Sequence, residues 1–287
     1  MIFAKPPHIL QRLITILTLV ILENFAMLQS LNAQPNALVF QHLRQGANAF
    51  NTSNYIRAIR EFTEAIKLRP TFADSYYNRG YAKMRIRDFV GAIDDFDETI
   101  SWSPLDVQAH HLRGDAHREL KHYAEAEADY TRTIELGIAK PEAVYYKRAQ
   151  VAALAKHYER SETDYKYVMR FMPQLYGIYF KIGLLAYQNK RPKEAIDYLT
   201  KFLEAQPANT AVRLFRASIA SDEGMNDLAI SDYTAVLLKE PDNAFLFYQR
   251  GSAYYELGKK KEACRDFQQA AFYGYAPATN TLRRLCK

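Results

Sequence analysis

The chain has 287 residues, 48% of them apolar and 24% charged, which is core material for one large domain, two ordinary ones or a repeat array, and excludes global disorder. Its 11 Gly and 11 Pro stand against 21 Tyr and 16 Phe, a balance that reads as helical. The 38 basic and 32 acidic side chains give a formal charge of +6 with the signs interleaved, so no nucleic-acid partner is expected.

The first 33 residues differ from the rest. Lys5 and Arg12 supply a short basic region, LITILTLVIL at 13–22 an apolar run, and Ala33 a small residue before Gln34. These are the three parts of a secretory signal peptide, so residues 1–33 are expected to be a leader and the mature chain to be exported, periplasmic or extracellular. Ten apolar residues rise about 15 Å as a helix against a hydrocarbon core of roughly 30 Å. The alternative is an uncleaved anchor over 13–30, and a membrane is expected as a partner only through that segment. Residues 34–38 form a short lead.

From 39 onward the sequence repeats. Prolines fall at 70, 104, 173, 207 and 241, and the register they set divides 39–277 into seven units: 39–72, 73–106, 107–141, 142–175, 176–209, 210–243 and 244–277. Position 8 of each unit is small (Gly46, Gly80, Gly114, Ala149, Gly183, Ala217, Gly251), and so is position 20 (Ala58, Ala92, Ala126, Ser161, Ala195, Ala229, Ala263). Position 24 is bulky (Phe62, Phe96, Tyr130, Tyr165, Leu199, Tyr233, Phe267). Apolar spacing within each half follows i, i+3, i+4, so each unit reads as two amphipathic helices that cross closely at positions 8 and 20. Proline at 32 stops the second helix. The third unit has Ile138 there and the last has Tyr275, while the linker GIAKPE at 137–142 holds one extra residue. A short helix over 278–287 is expected to cap the exposed end.

The small–small–bulky–Pro pattern resembles the tetratricopeptide repeat. The resemblance implies an all-α fold, an α-solenoid (right-handed superhelix) of tandem helix-turn-helix units with a C-terminal capping helix. It also implies a scaffold for a protein or peptide partner, with no catalytic residue, no cofactor and no metal. In this family the first helices line a groove, with position 5 pointing into it; here that position is Leu43, Tyr77, His111, Tyr146, Phe180, Leu214 and Tyr248. The candidate peptide-binding residues are Tyr77, Tyr81, Tyr146, Phe180, Tyr187, Tyr248 and Tyr255, because tyrosine offers a large apolar face and a polar tip. Packing between repeats is the equal alternative for any one of them. Position 5 has no Lys and position 9 no Asn, so recognition of chaperone tails is not expected.

Position 7 is Arg79, Arg113, Arg148, Arg216 and Arg250, and position 23 is acidic in those same units: Asp95, Asp129, Asp164, Asp232 and Asp266. An arginine on the first helix facing a carboxylate on the second can form a bidentate pair across the hairpin, a structural rather than a ligand-gripping role. The fifth unit breaks the pattern twice, with Ile182 and Tyr198. In the third unit His110, His111, His117 and His122 raise an alternative metal or enzymatic role, although two ligands on one face make a weak site. The tripeptide Arg113-Gly114-Asp115 falls inside a first helix, where an adhesion loop is not expected. The two cysteines, Cys264 and Cys286, can form one disulfide in an exported chain, which would staple the cap to the last repeat.

Overall fold

The computed structural model describes residues 36–286, so the expected leader at 1–33 and the alternative anchor at 13–30 lie outside the described residues. The chain divides into two compact units, one through Val151 and one from Ala152. All regular structure among the described residues is helical.

In the unit through Val151, α1 is described over 36–51, so residues 36–38, expected as a lead, are already helical. It is followed by α2 (Tyr55–Leu68), α3 (Ala73–Arg85), α4 (Phe89–Trp102), α5 (Val107–Glu119), α6 (Tyr123–Glu135) and most of α7 (Pro141–Leu154). The unit from Ala152 holds α8 (Tyr158–Phe171), α9 (Gly177–Gln188), α10 (Pro192–Ala205), α11 (Thr210–Asp222), α12 (Asn226–Leu237), α13 (Ala244–Glu256), α14 (Lys260–Phe272) and α15 (Ala276–Leu285). Within the units the first helix packs on the second helix of its hairpin in α3 with α4, α5 with α6, α9 with α10, α11 with α12 and α13 with α14. The result is an all-α solenoid architecture of tandem hairpins.

Sequence explains the close crossings. A Cβ built on Gly80 would meet the Asp95 Cβ at 3.0 Å and the Phe96 ring at 3.1 Å, and one on Gly46 would meet the Phe62 ring at 2.5 Å. The small residues at position 20 are fully buried, and the bulky side chains at position 24, such as Phe96 and Tyr130, fill the core beside them.

Helix ends are set by local chemistry. Asn54, Asp88, Asp106, Asn209 and Asn243 accept hydrogen bonds from first-turn amides of the helices they precede. Between the two helices of every hairpin one residue takes positive φ: Ser53, Arg87, Lys121, Lys156, Lys190, Gly224 and Gly258. This left-handed residue closes the first helix, and five of the seven are not glycine.

The two repeats without Pro at position 32 use another stop. Gly137 (φ 89°) follows α6 and Gly274 (φ 87°) follows α14, so a left-handed glycine does there what proline does elsewhere. The cap departs from the expected 278–287: α15 starts at Ala276, because Pro277 fits the first helical turn, where its missing N–H costs nothing.

Candidate functional site: aromatic faces braced by arginine bridges

The recurring arginines have definite partners. Arg79 donates from Nε and Nη2 to Asp95, at 3.0 and 2.6 Å, and Asp95 is buried. Arg113 makes the same fork to Asp129, Arg216 to Asp232 and Arg250 to Asp266. The third nitrogen reaches backward. Nη1 of Arg79, Arg148, Arg216 and Arg250 donates to Thr63, Thr131, Thr200 and Thr234, at 2.8–3.2 Å, and that of Arg113 to Asp97 at 2.6 Å. These acceptors occupy position 25 of the preceding repeat, a row that reading one hairpin at a time misses. Each guanidinium with both partners thus ties two helices of its own repeat to the repeat before it, using the fixed fork of its donors.

The exceptions obey the same geometry. The acceptor position facing Ile182 is Lys166, which has no acceptor to offer; its ammonium instead lies 2.6 Å from Glu162 Oε1, and Ile182 is buried apolar. Burial raises the Glu162 carboxyl pKa, but hydrogen bonds from Arg191 and Lys166 outweigh it and leave the group below its ordinary value. In the first repeat His42 takes the place of the missing arginine, its Nδ1 2.9 Å from Glu61 Oε2.

The third-repeat histidines diverge. His110 is buried, with Nε2 3.2 Å from the Pro104 carbonyl, and His111 Nε2 accepts from Lys147 Nζ at 2.9 Å. Burial, and then the Lys147 charge, lower the His111 pKa. Asp115 accepts from Lys147 and from the Tyr130 hydroxyl, which engages the adhesion-like tripeptide inside the fold. His117 packs beside His122 with ring centroids 5.8 Å apart. Among the described residues no three His, Cys, Asp or Glu side chains gather as metal ligands.

On the first-helix face of the unit through Val151, Tyr81 stacks on Phe50 at 5.0 Å and on Tyr77 at 6.5 Å, while Tyr77 also leans on Phe96 at 6.1 Å. All three rings of this stack are partly exposed, and burial raises the Tyr77 hydroxyl pKa. The Arg85 guanidinium lies 5.8 Å from the Phe50 ring centre and 5.1 Å from that of Tyr55, closing one end of the stack with a cation. Tyr146 is half-buried on α7.

In the unit from Ala152, Tyr187 is 42% exposed and meets Phe215 edge-on at 5.3 Å. Phe180 packs on buried Phe202 at 5.9 Å, and Tyr255 is half-buried. The Tyr248 ring lies between Phe267 and Tyr275, at 5.5 and 5.0 Å, with its hydroxyl 3.4 Å from Thr281, so it serves the packing of the cap. Cys264 and Cys286 are joined in a disulfide with Cα atoms 5.7 Å apart.

Family models described as tetratricopeptide repeat match residues 43–107, 107–136, 176–209 and 246–271, more than half of the chain. The chain belongs to the tetratricopeptide repeat family. No curated protein matches it. Among solved structures, a crystal structure of MamA protein is similar at 20% identity, covering 59% of this chain and 92% of that one with a TM-score of 0.55. A tetratricopeptide repeat protein from Parabacteroides merdae is 16% identical over 88% of this chain and all of its own, with a TM-score of 0.54. The structure of Naa15/Naa10 bound to HypK-THB contains a chain that is 14% identical, with a TM-score of 0.62, over 83% of this chain and 37% of that one. At these identities the likeness is one of fold. A tetratricopeptide fold is a protein-interaction scaffold, and the aromatic faces belong to such a scaffold.

Proposed function

We propose that this tetratricopeptide repeat protein is a non-catalytic scaffold that binds a protein or peptide segment along the aromatic faces of its first helices, outside the cytoplasm. The observation that carries the reading is the partly exposed set Tyr77, Tyr81 and Tyr187 on first helices: α3 is fixed by the Arg79 bridge to Asp95 and Thr63, and α9, which has Ile182 in place of the arginine, by buried apolar packing. Rigid aromatic rings with few rotamers to lose are efficient anchors for a bound chain. The Cys264–Cys286 disulfide supports export, since such bonds persist in oxidising compartments.

The test is capture from an extracytoplasmic extract, mapping of the bound segment, and affinity measurement on the mapped peptide. Replacing Tyr77, Tyr81 and Tyr187 together by Ala is expected to weaken that peptide at least about 10-fold with an unchanged helical circular dichroism spectrum. Unchanged affinity in the folded triple variant would overturn the reading.

A further inference from the structure

We propose that the basic surface gathered by the Cys264–Cys286 disulfide docks the protein onto an anionic lipid surface, independently of any peptide on the aromatic faces. Lys259, Lys260 and Lys261 stand at the start of α14, Arg265 follows in its second turn, and Arg283 and Arg284 lie in the last turn of α15. All six are exposed. Every one lies within five residues of a bridged cysteine, and the bridge holds the two Cα atoms 5.7 Å apart. Five helical residues rise about 7.5 Å, so the disulfide converts two separate basic segments into one cationic surface.

These charges are largely uncompensated. Lys259 Nζ lies 3.5 Å from Asp227, a pair exposed on both sides. Among the described residues none of the other five forms an ion pair, and Glu262 is the one carboxylate between Lys259 and Arg265. Residues 259–287 hold seven Lys or Arg against Glu262 and Asp266, so this end carries +5 of the formal +6.

The lipid assignment follows from shape and pattern. On α15, Ala278 and Thr281 are buried and Leu282 and Leu285 half-buried, while Arg283 and Arg284 face solvent. That is a basic amphipathic helix held against the fold. Its cations stand exposed on the last turn and those of α14 on its first two turns, and headgroup phosphates, which have no fixed spacing, suit a cluster spread over two helices. An acidic peptide would need a groove to order it. Phosphate attraction to six clustered cations is short-ranged and screened by salt.

The experiment is co-sedimentation of the full chain with phosphatidylcholine vesicles, with and without phosphatidylglycerol. Every variant keeps the same N-terminal segment, so differences between variants report on the cap. The wild type is expected to bind the anionic vesicles in a salt-sensitive manner. The Lys260→Glu, Lys261→Glu, Arg283→Glu, Arg284→Glu variant should lose at least about 100-fold of that affinity with helicity intact, and the corresponding Lys↔Arg exchanges should keep it. Cys264→Ser with Cys286→Ser should fall between the two, because the segments are no longer held together. Equal binding by wild type and charge-reversed protein would overturn the proposal, as would binding to soluble poly-glutamate in preference to anionic vesicles. Capture of the mapped peptide should be unaffected by charge reversal, which separates this failure from failure of the aromatic-face reading.

Discussion

At the scale of single residues, the arginine at position 7 is a structural bolt whose worth depends on burial and on its second partner. Arg216 is the clearest case: it is buried, forks onto fully buried Asp232, and reaches Thr200 of the preceding repeat. Arg213 also reaches Asp232, at 2.9 Å, so truncating Arg216 would leave that carboxylate with one cation instead of two. Arg216→Ala is expected to cost about 3 kcal/mol, because a buried charge loses a hydrogen-bonded partner while the desolvation of the carboxylate remains. Urea unfolding followed at a fixed pH reads this directly, and a loss below about 1 kcal/mol would show the pair to be dispensable. Arg216→Lys should recover little, since one ammonium cannot reach both carboxylate oxygens and the Thr200 hydroxyl. The recurrence of Arg and Asp sixteen residues apart was legible in the sequence. The threonine acceptors were not, because nothing about a lone threonine marks it until the neighbouring repeat is placed beside it.

At the scale of the element, each hairpin turn is built on one left-handed residue, and most repeats place a non-glycine side chain there. Lys121 (φ 63°), between α5 and α6, is exposed, so little beyond its backbone conformation fixes its identity. A left-handed conformation costs an L-residue with a Cβ about 1–2 kcal/mol, and glycine returns part of that gain through the entropy of its unfolded chain. Lys121→Gly is therefore expected to stabilise the protein by about 0.5–1 kcal/mol, visible as a raised denaturation midpoint. A lowered midpoint would mean that the Lys121 side chain holds the turn. The same account separates what the pattern could and could not reveal. The two-helix repeat followed from the positions of small residues and prolines. The helical state of 36–38 and the early start of α15 did not, because element ends depend on caps and on how Pro277 is accommodated.

At the scale of the whole molecule, a stack of hairpins is stabilised mainly by nearest neighbours, so its ends are where local opening begins. The helix α15 covers the last hairpin, burying Ala278 and Thr281 and setting Tyr275 against Tyr248. Its ten residues make a short helix, too short to persist in water without packing. The disulfide closes a loop with a sequence separation of 22, which in the chain-entropy account contributes about 3 kcal/mol. Cys286→Ser should accordingly lower the stability of the unit from Ala152 by about that amount. Amide exchange should speed up first in α15 and then in α13 and α14, where Tyr248 and Phe267 lose their cover, while α3 and α4 in the other unit keep their protection. Wild-type protein under a reducing agent should reproduce the variant, which separates loss of the crosslink from the effect of the serine. If exchange in α15 stayed as slow in the variant as in the oxidised protein, packing of Ala278, Thr281 and Tyr275 alone would hold the cap, and the disulfide's contribution would lie elsewhere.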